Sequence, residues 1–236
     1  MDIYRPQPQV TTLGRVNLRA VMQEVYLWMT IGLLISAAVA ITFAVTGLTV
    51  ALAPVLMIAM FAEIGLVWYL AARIMKMSAQ RATRVFLLYA ALNGATLSFV
   101  FFWADLSDVY LALFATGAMF AAMSIIGYTT SIDLTRMGGF LFMALIGLIV
   151  ASVINIFFAS ETLYWLVTYA GVLIFVALTA YDTQWIKRSA QQMEIQGVPN
   201  EAALVRRVAI MGALKLYLDF INLFIYLLRI LAGSRD

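Results

Sequence analysis

Seven apolar runs, each long enough to cross a bilayer, take up most of this 236-residue chain; they lie at about 25–47, 51–72, 85–104, 109–129, 139–159, 162–186 and 208–231. A hydrocarbon layer needs about 20 such residues per helical crossing. Inside that layer every backbone N–H and C=O must be paired within the segment, so the runs fold as α-helices. Composition agrees, because 64% of residues are hydrophobic and only 11% charged, against about 25% charged in a soluble domain. The predicted fold is an all-α membrane protein, a bundle of seven transmembrane helices forming one domain over 25–231. Residues 1–24 are read as an N-terminal tail with no apolar core of its own, hence no cleavable signal peptide. Residues 232–236 form a short C-terminal tail. Gly47 to Val50 and Ala159 to Thr162 are read as tight turns between antiparallel helices. Gly117 with Ala121, and Gly147 with Ala151, stand four apart and predict close helix packing.

Lys and Arg fix the direction of the bundle. Arg5, Arg15 and Arg19 lie in the tail, Arg73, Lys76, Arg81 and Arg84 in the second connector, Arg136 in the fourth, and Lys187, Arg188, Arg206 and Arg207 in the sixth. The first, third and fifth connectors carry no Lys or Arg, and the third and fifth hold Asp105, Asp108 and Glu161. Basic loops stay on the cytoplasmic side, which places the N-terminus there and the C-terminus outside. Arg229 and Arg235 are the basic residues on the opposite side. The chain's pI near 9.2 is explained by these loops, with no nucleic-acid partner expected.

The sequence has no Cys and no His. Disulfides, thiolate metal sites, Ser-His triads and imidazole relays are excluded, and no enzymatic activity or tightly bound cofactor is expected. Five tryptophans (Trp28, Trp68, Trp103, Trp165 and Trp185) fall near the ends of the runs, as an interfacial belt would.

Acids inside apolar runs are the remaining signal. Asp182 in the sixth run and Asp219 in the seventh each cost roughly 2.5–3.5 kcal/mol at membrane depth on insertion scales. Asp182 precedes Lys187 by five residues, and Asp219 follows Arg207 by twelve, up to about 18 Å along a helix. The two carboxyls therefore reach comparable depth. Two carboxylates about 3 Å apart do not both ionise cheaply, so such a pair shares one proton and titrates as a unit. Lys215, Asp219, Asn222 and Tyr226 form one polar face of the seventh helix, and Thr168, Thr179 and Asp182 one face of the sixth. Glu63 lies within the second run, Asn93 in the third and Asn155 in the fifth. The bland readings are ion pairs of Asp219 with Lys215, or of Asp182 with Lys187 or Arg188, and a structural hydrogen-bonding role for Glu63.

At these residues the chain resembles the Bax inhibitor-1, or transmembrane Bax-inhibitor-motif, family, and its bacterial members most. The likeness rests on AYDTQ at Ala180–Gln184, LYLDFINLF at Leu216–Phe224, LLRI at Leu227–Ile230, and GYTT followed by DL at Gly127–Leu134. The resemblance implies a seventh helix wrapped by the other six. It also implies a pH-sensitive calcium leak gated by aspartates at positions matching Asp182 and Asp219. A helix-two arginine that latches onto the pair would be Arg73. Calcium takes six to eight oxygens, and Asp182, Asp219, Glu63, Asn222 and water would supply some of them in a weak, transient site.

The expected partners are the lipid bilayer, calcium and protons, and the expected location is a bacterial inner membrane. The alternative function is a non-transporting interaction protein that modulates stress responses, cell death or a membrane protease through protein partners. Two further readings fit poorly. An intramembrane aspartyl protease needs Gly-x-Gly-Asp where this chain has Leu216-Tyr-Leu-Asp219, and a retinal protein needs an acidic counter-ion that the third run lacks.

Overall fold

The computed structural model describes residues 17–196 and 202–233. Seven long helices run through them, with no strand among the described residues: α1 (Leu18–Thr46), α2 (Ala53–Arg73), α3 (Ala79–Leu97), α4 (Leu106–Thr129), α5 (Gly138–Phe158), α6 (Glu161–Ile195) and α7 (Ala202–Gly233). Each corresponds to one apolar run and is long and apolar enough to cross a membrane.

The helix ends depart from the sequence reading, chiefly where polar residues continue a helix beyond the hydrocarbon. The N-terminal tail placed at 1–24 is already helical from Leu18, because Asn17 caps the first turn with Oδ1 accepting from Arg19 N–H at 2.8 Å. Residues 1–16 and 234–236 lie outside the described residues, so Arg5, Arg15, Arg235 and most of both tails do too. The sixth helix continues past 186 to Ile195, since Lys, Arg, Ala, Gln, Met and Glu propagate a helix in water. Trp185 consequently sits inside α6 rather than at its end, a correction to its place in the interfacial belt.

Both tight turns form. Gly47 closes α1 at φ +74° and leads into a single helical turn, Leu48–Ala51. Ala159 closes α5 at φ +46°, donating its N–H to Asn155 O, while Asn155 Oδ1 accepts from Ser160 N–H at 3.0 Å. Asn155 thus serves as a helix-end cap.

α7 is the most enclosed helix, with 67% of its apolar window buried against 11% for α5. Its main neighbours are α1, α3, α4 and α6, while α2 packs on α3 and α5 on α6. Lipid tails are as apolar as leucine, so inter-helix association relies on close packing and polar contacts rather than on burial from water. The close contacts are not at Gly117 or Gly147, both of which face open space. The closest approaches to another helix's backbone are at Gly94, where a Cβ would lie 2.5 Å from Ser36 O of α1, and at Gly127, where it would collide with Ala180 O of α6. Spacing alone did not distinguish the packing glycines from those turned outward. Tyr217, fully buried on α7, is the hub of the core, its ring edge-on to Phe86 and Tyr89 with centroids 5.8 Å away in both cases.

Candidate functional site: a buried carboxyl pair between α6 and α7

The polar face of α7 turns toward α6. Tyr226 stacks on Phe175 at 5.9 Å, over the gap that Gly171 leaves. Further along the same face, Lys215 Nζ donates to Asp182 Oδ1 at 2.7 Å, and its ammonium lies 4.8 Å from the Trp185 ring centroid. Asp182 is 6% exposed and Asp219 3%. Asp219 is close enough to feel the charges of both Asp182 and Lys215, yet its Oδ2 has no hydrogen-bond partner.

The sequence reading expected a hydrogen bond from one aspartate to the other, and this structure has Lys215 in that place. The long lysine side chain reaches across the interface rather than back along its own helix, and the Trp185 ring holds it there. An α6–α7 ion pair therefore replaces both the shared proton and the simple Lys215–Asp219 clasp. Nor does Asp182 meet the two basic residues that follow it. Lys187 Nζ donates to Tyr128 O at 2.6 Å, and Arg188 Nη1 to Asp133 Oδ1 at 2.5 Å.

The other expected members of the site lie elsewhere. Glu63, 8% exposed, accepts from Asn93 Nδ2 at 3.0 Å and Thr96 Oγ1 at 2.8 Å, both on α3. Asn222 Nδ2 is spent on the Leu218 carbonyl of its own helix. Arg73 is exposed at the end of α2 and ion-pairs with neither aspartate. Thr168 and Thr179 are buried, but each bonds a carbonyl one turn back on α6. Among the described residues, no three His, Cys, Asp or Glu side chains form a group able to hold a metal ion. A cation at the aspartate pair would take its remaining oxygens from water and neutral groups.

Two polar assemblies escaped the sequence reading. In the first, Tyr217 O–H donates to Asn93 Oδ1 at 2.8 Å and its oxygen accepts from Ser36 Oγ at 2.7 Å, with Ala90 O an alternative acceptor for the single Ser36 proton at the same distance. With Glu63 this links α1, α2, α3 and α7 through one buried hydrogen-bonded chain. In the second, the buried Gln184 amide reads the connector between α4 and α5. Its Oε1 accepts from Leu134 N–H and its Nε2 donates to Ile132 O, each at 2.8 Å. Asp133, at the head of the short turn Leu134–Met137, accepts from Thr135 N–H and O–H. The Thr135 hydroxyl, helped by Arg188 and Arg136, holds the Asp133 carboxyl below the usual carboxylate range. The GYTT…DL and AYDTQ segments therefore meet in space. Gly127 lets α4 touch α6, and Gln184 and Arg188 pin the loop that follows. A buried amide in an apolar run was the available signal, but nothing in its spacing named its partner.

The chain as a whole is similar to known proteins. Residues 18–236 match the family model described as Inhibitor of apoptosis-promoting Bax1. Inner membrane protein YbhL of Escherichia coli K12 is 45% identical over 239 residues, covering 100% of both chains. A Rickettsia prowazekii protein, RP147, is 37% identical over 93% of this chain and 92% of its own, and a Borreliella burgdorferi protein is 42% identical over 74% of this chain and 73% of its own. A family model spanning nearly the whole chain, together with a full-length relative at this identity, places the protein in the Bax inhibitor family.

Proposed function

We propose that this protein is a pH-responsive cation leak of the bacterial inner membrane, with calcium as the permeant ion and Asp182 and Asp219 as its gate. The N-terminus lies in the cytoplasm, and the role is transport rather than catalysis. The observation that carries the reading is the pair of buried carboxyls on α6 and α7, only one of which has a cation on it. An unpaired buried charge is expensive and an uncharged acid is not, so Asp219 is the member whose proton matters. With that proton in place, Asp182 and Lys215 balance and the interface is neutral. Its loss leaves a net negative charge between two helices, which repels them and attracts a cation. The inner-membrane location follows the relationship to YbhL.

The test is calcium entry into dye-loaded proteoliposomes between about pH 6 and 8, a range that brackets neutrality. Wild type is run beside an Asp182→Asn/Asp219→Asn variant. A wild-type leak that follows pH, and a variant that does not, supports the gate. No flux from pure protein moves the function to the alternative, a partner-dependent interaction protein.

A further inference from the structure

We infer that Lys215 is a tethered competitor for the cation site: its ammonium occupies Asp182 in this state, and a free cation binds the carboxyl pair only after Lys215 has left. The inference rests on the pair being the cation site of the proposed leak, and it deepens that reading by naming what keeps the site filled.

The geometry has three parts. The Lys215 ammonium sits on Asp182 Oδ1 at 2.7 Å, at one end of a patch whose other carboxyl, Asp219, has a buried oxygen with no partner. Asp182 is a short, buried side chain on α6 and Lys215 a long one, so the amine is the partner with room to move. Lys215 is the more exposed member of the ion pair, with 32% of its side chain accessible against 8% for Asp182. Its flexible stem gives it somewhere to go, and its resting place over the Trp185 ring is a weak, displaceable cation site of its own.

Among the described residues, the charged groups that act on one another at the patch are Asp182 of α6 and Lys215 and Asp219 of α7. The patch therefore carries its own monovalent cation, covalently attached. A unit positive charge a few ångströms from a bound cation opposes binding by several RT at the effective dielectric of a protein interior. Removing it raises the affinity for a multivalent cation without adding any ligand. This role differs from that of a latch on helix two, because the competitor and one of the two acids share a helix. A rotation or unwinding of α7 at this turn would move Lys215 and Asp219 together.

The experiment uses full-length protein in detergent and Tb3+ as the probe. Trp185 lies next to the site and acts as the sensitiser of Tb3+ luminescence. The Lys215→Gln variant is expected to bind Tb3+ at least about tenfold more tightly than wild type, the charge having been removed. Lys215→Arg, which keeps the cation, is expected to stay at the wild-type value. Lys215→Gln/Asp182→Asn is expected to lose the gain, and Lys215→Gln/Trp185→Phe to lose most of the sensitised emission. Equal Tb3+ affinity in wild type and Lys215→Gln overturns the inference, and so does a gain that survives Asp182→Asn. If Lys215→Gln does not fold, Lys215→Met is read the same way. Tightened Tb3+ binding without calcium flux would keep the competitor and reject the leak; a pH-dependent leak with unchanged Tb3+ affinity would do the reverse.

Discussion

Lys215 and Asp182 face each other across the α6–α7 interface, Nζ to Oδ1 at 2.7 Å, although Lys215 stands one turn from Asp219 on its own helix. The choice of partner divides the two aspartates. Asp182 is the salt-bridged acid, and Asp219 the buried acid whose Oδ2 is left without a hydrogen bond.

The two acids should therefore respond differently to neutralisation. Asp182→Asn removes the counter-charge of a partly buried lysine and is expected to cost about 1–3 kcal/mol, below the full cost of breaking a deeply buried pair because Lys215 reaches solvent. Asp219→Asn replaces an acid by a neutral amide of the same shape and is expected to cost less than about 1 kcal/mol. Unfolding of the two variants in mixed micelles compares them directly, and equal losses would contradict the assignment.

Tyr217→Phe keeps the ring that packs on Phe86 and Tyr89 but deletes the hydroxyl joining Asn93 to Ser36. An expected loss of about 1–2 kcal/mol follows from leaving Asn93 Oδ1 without its donor. Thermal melting in detergent measures it. Ser36→Ala should cost less, since Tyr217 keeps Asn93.

Gly127→Ala is expected to destabilise the protein by about 1–3 kcal/mol, because the added methyl group meets the Ala180 backbone, which cannot swing aside as a side chain would. Gly117→Ala, on the same helix, faces open space and is expected to be neutral or slightly stabilising through helix propensity. Melting temperatures of the two single variants, measured side by side, decide it.

Asp133 gives a pH dependence with a defined sign. Its carboxyl is held below its ordinary value of 3.8 by Thr135 and the flanking arginines. A depressed folded-state value means that the carboxylate stabilises the loop at neutral pH. That contribution is lost as pH falls through the folded value. Asp133→Asn should therefore lower the melting temperature at pH 7, and the gap from wild type should close as the buffer is taken below pH 3.8. A gap independent of pH would show that the carboxylate charge is not involved.

Helix identity was legible in the sequence because the bilayer imposes one simple rule on length and polarity. All seven apolar runs are helices, and the turns at Gly47 and Ala159 lie where no other connection fits. Helix ends were less legible. The polar residues from Lys187 to Glu194 read as loop by hydropathy, yet they form good helix in water and extend α6 to Ile195. Asp182 and Asp219 stood out individually, since an acid in an apolar run is costly wherever it points. Glu63 and Asn222 stood out equally, but they bond to α3 and to the α7 backbone.

What the sequence by itself determined is the set of helices, the family, and the presence of acids at membrane depth, because each follows from local composition or from motif residues read in order. Only the tertiary structure decided the pairings: Lys215 with Asp182, Glu63 with Asn93 and Thr96, and Gln184 with Ile132 and Leu134. The physical reason is rotation. A helix shows its periodicity in sequence but not which neighbour each face meets. A few tens of degrees about the axis of α7, set by contacts such as Tyr217 against Phe86 and Tyr226 against Phe175, determine whether a lysine meets the acid on its own helix or the one across the interface.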